Sequence, residues 1–174
     1  MRGCLHIYCG DGKGKTTAAV GLAVRAAGCG GKVLMVRFLK TDDSGEVEGL
    51  SWIPGITVCP CRKTFGFFWS MTEEQKKEAA IYYQSLLEET WQQALNGQYD
   101  MLVLDEIMAA CNNGLVAETR LMELLDTKPE TLEVVLTGRN PSEALKERAD
   151  YVSEIKKIKH PFDSGVPARK GIEY

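Results

Sequence analysis

Eight consecutive residues, Gly10-Asp11-Gly12-Lys13-Gly14-Lys15-Thr16-Thr17, have the types and spacing to hold a polyphosphate. Glycines let backbone N–H groups converge on an anion without interference from a Cβ. Lys15 brings a mobile positive charge, and Thr16 a hydroxyl for a metal ion. The stretch has one irregularity. In the usual phosphate loop, Gly-x-x-x-x-Gly-Lys-Ser/Thr, the first glycine would stand at position 9. Position 9 is Cys9 and the glycine is Gly10, so the loop is one residue short.

A second chemical signal is Asp105-Glu106, two adjacent carboxylates ending the apolar run Met101-Leu102-Val103-Leu104. Beside a phosphate loop, a carboxylate there serves Mg²⁺. Asp105 capping a following helix is the competing account. The third is Phe65-Gly66-Phe67-Phe68-Trp69, led by Arg62 and Lys63. These aromatics suit either packing on the core or a flap over a flat apolar ligand. Composition leaves both open.

The elements that must position these groups follow from apolar patterning. Residues 3–9 form a strand, and a helix runs from Thr16 to about Ala27, ended by Gly28, Gly30 and Gly31. Arg25 stands near that helix's C-terminal end, where a cation suits the dipole. Strands are expected at 32–39, 56–59, 99–106, 131–139 and 151–155, the last at the sheet edge because it alternates. Residues 41–55 are expected to be irregular. Thr72 with Gln75 is a capping-box signature for a long helix over 73–95 with an apolar stripe. Two shorter helices are expected within 107–126 and another over 141–148. The class is α/β: one domain, residues 1–174, with a mostly parallel sheet and helices on both faces.

Composition narrows the partners. With 174 residues and net charge −3, the chain can bury a core but has no basic field for nucleic acid. No apolar run is long enough to span a membrane, and no signal-peptide pattern leads the chain, so a cytoplasmic protein is expected. The six cysteines include Cys59-Pro60-Cys61, which lacks the C-x-x-C spacing of common zinc knuckles. Free thiols are expected.

Taken together, the chain resembles the corrinoid adenosyltransferases of the phosphate-loop type. The likeness runs along nearly the whole chain. It includes the short loop, Phe38-Leu39-Lys40, Gly66-Phe67-Phe68-Trp69, Val103-Leu104-Asp105-Glu106, Leu136-Thr137-Gly138-Arg139 and Ala149-Asp150. It continues through Lys159-His160-Pro161-Phe162-Asp163-Ser164-Gly165 and Gly171-Ile172-Glu173-Tyr174. The one-residue deficit in the loop is a trait of that family.

The resemblance implies a RecA-like fold and transfer of the 5′-deoxyadenosyl group of ATP to cobalt(I) of a reduced corrinoid, releasing triphosphate. The loop would grip ATP in the direction opposite to that of ordinary NTPases. ATP contacts would come from Gly10, Asp11, Gly12, Lys13, Gly14, Lys15, Thr16, Thr17 and Arg25. Lys15, Phe67 and Trp69 would serve catalysis, the two aromatics packing under the corrin to keep its lower axial position empty. Thr16 and Glu106 would hold Mg²⁺, with Asp105 behind them. A homodimer and an electron-donating reductase are also implied. Two departures are notable. Many relatives begin with a basic N-terminal helix, whereas this chain starts at its first strand, so site closure is expected to differ. Asp11 stands where some relatives have Asn, a charge suited only to facing Mg²⁺, a lysine or the ribose. His160 is a site residue or a local hydrogen-bonding group. The alternatives are a RecA-like ATPase or small kinase, and a non-catalytic nucleotide- or corrinoid-binding protein.

Overall fold

The computed structural model describes residues 2–173. Six strands, β1 (Leu5–Cys9), β2 (Val33–Arg37), β3 (Ile56–Val58), β4 (Met101–Asp105), β5 (Glu133–Thr137) and β6 (Tyr151–Glu154), form one sheet in the order β3-β2-β4-β5-β1-β6. Every pairing is parallel. The sheet is therefore wholly parallel, where the patterning predicts mostly parallel. β5 lies between the strand that carries the phosphate loop and the strand that carries the carboxylates. This is consistent with the RecA-like architecture implied by the resemblance.

Alternation along the strands sorts side chains into two cores. Val33, Met35, Met101, Val103 and Val135 face one side, beneath Ala19 and Ala23 of α1 (Lys15–Gly28) and Leu50 of α2 (Gly45–Ser51). Leu34, Val36, Leu102, Leu104, Val134 and Leu136 face the other. There they meet α3 (Glu73–Asn96), α4 (Ile107–Asn112), α5 (Glu118–Asp126) and α6 (Glu143–Arg148). A strand buried on both faces needs apolar residues throughout, and the continuous runs in β2 and β4 meet that need.

The N-terminal signature of α3 is made as expected. Gln75 N–H donates to Thr72 Oγ1 at 3.2 Å, and Thr72 N–H to Gln75 Oε1 at 2.8 Å. Its buried stripe comprises Ala79, Tyr83, Leu87, Thr90, Trp91 and Ala94. Residues 41–55 are not wholly irregular, because α2 lies within them. Its two glycines and seven-residue length weaken any propensity signal, and burial of Leu50 holds it instead. β6 is an edge strand, as its alternation suggests, yet all four residues are exposed. Alternation there marks no buried face. Tyr151 instead stacks on His6 of β1, with centroids 4.5 Å apart.

The parallel arrangement brings the carboxyl ends of all strands to one edge. The phosphate loop follows β1, Lys40 follows β2, Glu106 follows β4 and Arg139 follows β5. The aromatic segment leaves the same edge after β3, at the far end of the sheet. No helix among the described residues is long and apolar enough to cross a membrane.

Candidate active site

The loop's glycines answer to two constraints. Gly10 and Gly14 adopt φ of 105° and 122°, which side chains with a Cβ rarely adopt. At Gly12 the constraint is space: a Cβ would lie 2.8 Å from the carbonyl of Ile155. The segment beyond β6 thus presses directly on the loop. Gly12 N–H donates to Ile155 O at 2.8 Å, and Lys157 N–H donates to an Asp11 carboxylate oxygen at 2.9 Å. That bond holds the Asp11 carboxyl below the usual aspartate range. Asp11 therefore faces the backbone of Lys157 and is spent on holding the loop.

Helix α1 opens with no side-chain cap and no acidic residue in its first turn. Its first N–H groups have no acceptor within the helix. Together with the helix dipole they form a seat for an anion. Lys15 is nearly buried and folds back so that Nζ donates to Gly12 O at 2.9 Å. Burial pushes its pKa down, with Glu106 opposing that shift. A desolvated ammonium whose hydrogen bond goes to a neutral carbonyl is primed for a phosphate.

Behind Lys15 lies a fixed polar network. Asp105 is fully buried, and Oδ1 accepts from Thr16 Oγ1 at 2.9 Å and from Thr137 Oγ1 at 2.6 Å. Its Oδ2 has no aligned hydrogen-bond donor, but Lys40 Nζ approaches it at 2.7 Å as an ion pair. Lys40 also donates to Thr16 Oγ1 at 3.1 Å and to Glu46 of α2 at 3.3 Å. Burial alone would lower the Lys40 pKa; Asp105, Glu46 and Glu106 outweigh it and raise it. The Asp105 side chain does not cap a helix, since the residue at the start of α4 is Glu106, in the left-handed region at φ 59°. Glu106 N–H is fixed by Thr137 Oγ1 at 2.9 Å. Burial raises the Glu106 pKa, reinforced by the Asp105 charge and opposed by Lys40 and Lys15. Strain of this kind at a carboxylate persists where surrounding structure enforces it.

These groups line a cavity of about 280 Å³. Asp11 to Thr17 form its floor, with Lys40, Glu106 and Arg139 at the sides and the segment from His160 to Glu173 as its roof. A second space of about 470 Å³ adjoins Thr16, Thr17, Lys40 and α2, and shares Ile172 and Glu173 with the first. In the roof, His160 Nδ1 accepts from Phe162 N–H at 3.1 Å, so this histidine has the local role as well as a place in the lining. Glu173 pairs with Arg169 at 2.9 Å, which pulls its pKa down to about 2. Tyr174 lies outside the described residues.

The aromatic segment divides in two. Phe65 packs on Tyr82 and Tyr83 of α3, with ring centroids 5.7 and 5.8 Å away, and Phe68 lies against the core beneath Lys76. Phe67 and Trp69 point outward, 69% and 82% exposed, and stack on each other 5.2 Å apart and nearly coplanar. Packing on the core thus accounts for two of the four rings, and the other two are open to solvent. Neither Phe67 nor Trp69 lines either cavity.

The structure thus gathers Gly12 to Thr17, Asp11 and Glu106 around one cavity. Gly10 supports the loop from beneath. Arg25 is not brought there. It occupies the last turn of α1, roughly 15 Å along the axis from Lys15, where it suits the helix dipole. Lys40 and Arg139, which the sequence offered only within motifs of the resemblance and not as site residues, join the site. The sequence places each directly after a strand, but only strand order puts them beside the loop. Among the described residues no group of three or more His, Cys, Asp or Glu side chains is arranged to hold a metal. All six cysteines are free, and burial pushes Cys59 up to about 11 and Cys111 up to about 12.

Comparison with known proteins adds to this geometry. The family model described as ATP:corrinoid adenosyltransferase BtuR/CobO/CobP matches residues 1–174. A corrinoid adenosyltransferase of Escherichia coli K12 is 36% identical, the alignment covering 99% of this chain and 86% of that protein. A relative of the same description from Salmonella typhimurium is 34% identical over 99% of this chain and 86% of its own length. One from Pseudomonas aeruginosa is 33% identical, over 99% and 84%.

Proposed function

The chain belongs to the ATP:corrinoid adenosyltransferase family, and on that premise we propose how its site transfers the adenosyl group of ATP to a corrinoid. The loop and the first turn of α1 seat the triphosphate. Cobalt(I) of the reduced corrinoid donates an electron pair to the 5′ carbon of the ribose. The cobalt–carbon bond forms, the bond from that carbon to the triphosphate oxygen breaks, and its electron pair leaves on triphosphate. No proton moves in this step, so the chain needs no general base. It needs to position two reactants and to neutralise the leaving group.

The observation that carries this reading is the exposed Phe67–Trp69 stack on the same sheet edge as an uncapped phosphate loop. A kinase or ATPase has no use for such a platform, and the family match does not favour either. β3 and β1 are four strand spacings apart, roughly 19 Å at the sheet. Phosphates held after β1 and a corrin held near the segment after β3 leave the ribose between them. Trp69 and Phe67 cover the lower face of the corrin, and Lys15 faces the phosphates. A reductase supplies the electron for cobalt(I), and the protein acts in the cytoplasm as a homodimer.

Mg²⁺ fits the residues present. Thr16 Oγ1 donates to Asp105 and accepts from Lys40, which leaves it one lone pair. Asp105 Oδ2 is buried without an aligned donor, and the Glu106 carboxylate lines the cavity. Thr16 and Glu106 would hold the ion, with Asp105 behind them. A site with so few protein ligands suits an ion whose remaining ligands are phosphate oxygens and water. When bound, Mg²⁺ supplies charge neutralisation to the triphosphate.

An anaerobic assay with ATP, Mg²⁺ and reduced cobalamin tests this reading. Cobalt–carbon product and inorganic triphosphate are expected in equal amounts. Orthophosphate with ADP, and no change in the corrinoid spectrum across several corrinoids, would contradict it.

A further inference from the structure

We propose that Arg139 is a contact to the leaving triphosphate, held ready by a built turn at the carboxyl end of β5. The inference rests on the reading above and names a further residue for the same site.

Placement comes first. β5 is the immediate neighbour of β1, with Tyr8 in register with Thr137. The residue two beyond Thr137 therefore emerges beside the loop that follows β1. Arg139 lines the same cavity as Lys13 and Lys15.

Its lack of a counter-ion is the second observation. Six of the eight arginines make ion pairs: Arg2, Arg37, Arg62, Arg120, Arg148 and Arg169. Among the described residues Arg25 and Arg139 make none. Arg25 has the C-terminal end of α1 beside it. Arg139 faces the cavity, which it shares with Lys13, Lys15, Lys40 and the uncapped helix. Of the acids in the same lining, Asp11 accepts from Lys157 N–H, Glu173 pairs with Arg169, and burial disfavours the charge on Glu106. Cations left in excess of engaged acids mark a place for an anionic ligand. Arg139 already acts on that field, opposing the charge on Lys15 and favouring the charge on Glu106.

The turn itself is built. Gly138 has φ 146° and sits so close to α4 that a Cβ would lie 2.7 Å from the Met108 side chain. Asn140 is left-handed at φ 50°. Asn112 of α4 donates through Nδ2 to the carbonyls of both Arg139 and Asn140, at 3.0 and 3.3 Å. The backbone on either side of Arg139 is thereby fixed while its guanidinium stays free. A planar fork of donors matches two phosphate oxygens at once.

Binding of inorganic triphosphate, measured by calorimetry at fixed salt, tests the proposal without corrinoid chemistry. Arg139→Ala should weaken binding roughly 10- to 100-fold. Arg139→Lys should recover part of the loss, because the charge stays and the fork goes. Arg62→Ala removes the same charge from a surface ion pair and should leave binding within twofold. Thermal midpoints of the Arg139 variants should match the parent, since among the described residues the exposed side chain makes no hydrogen bond or ion pair. Binding by Arg139→Ala within twofold of the parent, or an equal loss in Arg62→Ala, would overturn the inference. If the parent forms no cobalt–carbon product, the reading of function fails whatever Arg139 does. If it forms product and Arg139→Ala binds triphosphate normally, only this inference fails.

Discussion

The phosphate loop and the aromatic segment leave the same edge of one sheet, yet they are built in opposite ways. The loop is held by its own contacts. Its glycines are clamped against Ile155, Asp11 is spent on Lys157, and Lys15 is folded over Gly12. Lys15 sits at low exposure, where its charge acts strongly on a bound anion. The flap is half anchored and half open. Phe65 and Phe68 fix it to α3 and the core, while Phe67 and Trp69 offer a stacked apolar surface to solvent. A reacting triphosphate needs fixed charges in advance. A large flat ring needs only a surface whose water is readily displaced. The difference suggests a division of labour, with leaving-group chemistry at β1 and metal-centre chemistry beyond β3.

The largest effect should come from the loop. Lys15→Ala should slow adenosyl transfer by about 10²- to 10³-fold, the scale seen when one preorganised donor is removed. Its thermal midpoint should stay level or rise, because the variant no longer buries a desolvated ammonium. Calorimetry and steady-state rates on the same preparation separate the two effects. A large drop in midpoint would mean that Lys15 holds the fold as well as the phosphate.

A smaller effect, of a different kind, should come from the inner half of the flap. Phe68→Ala should cost about 1–2 kcal/mol of stability, seen as a lower denaturant midpoint, since a half-buried ring and its contact with Lys76 are lost. The neighbouring outward substitution, Trp69→Ala, should leave the midpoint within about 0.5 kcal/mol, as exposed positions do. Equal losses at both positions would erase the proposed split between anchor and platform.

The smallest effect lies away from both regions. Asp150, at the turn into β6, accepts Leu5 N–H at 2.8 Å, and that bond holds its pKa below the ordinary 3.8. A depressed carboxylate stabilises the fold fully above its unfolded pKa and loses that contribution as pH falls through the folded value. Parent stability should therefore fall from about pH 4 downward more steeply than that of Asp150→Asn. Parallel acid-unfolding curves for the two would remove Asp150 from the account.

What was legible in the sequence follows the same contrast. The loop, Asp105 and Glu106 stand out because their chemistry is local: glycines, a lysine, and carboxylates at a strand end. The capping box of α3 is legible for the same reason. Lys40 is not, because its meaning lies in Asp105, Thr16 and Glu46, which only the sheet order brings to it. Arg139 needs β5 to lie beside β1. The flap's composition shows that four aromatics cluster, but which two turn inward depends on Tyr82 and Tyr83 of α3. Arg25 shows the converse. Its helix-end position is plain in the sequence, and in the structure it keeps that position without reaching the loop cavity.

The division of labour is tested most directly by assaying Trp69→Ala in two ways. One reaction starts from cobalt(II) corrinoid with a reductant, and the other from cobalt(I) formed beforehand. If the flap prepares the metal centre and the loop handles the leaving group, the variant should lose far more activity in the first assay than in the second. Equal losses in both would contradict the account and return Trp69 to a structural role.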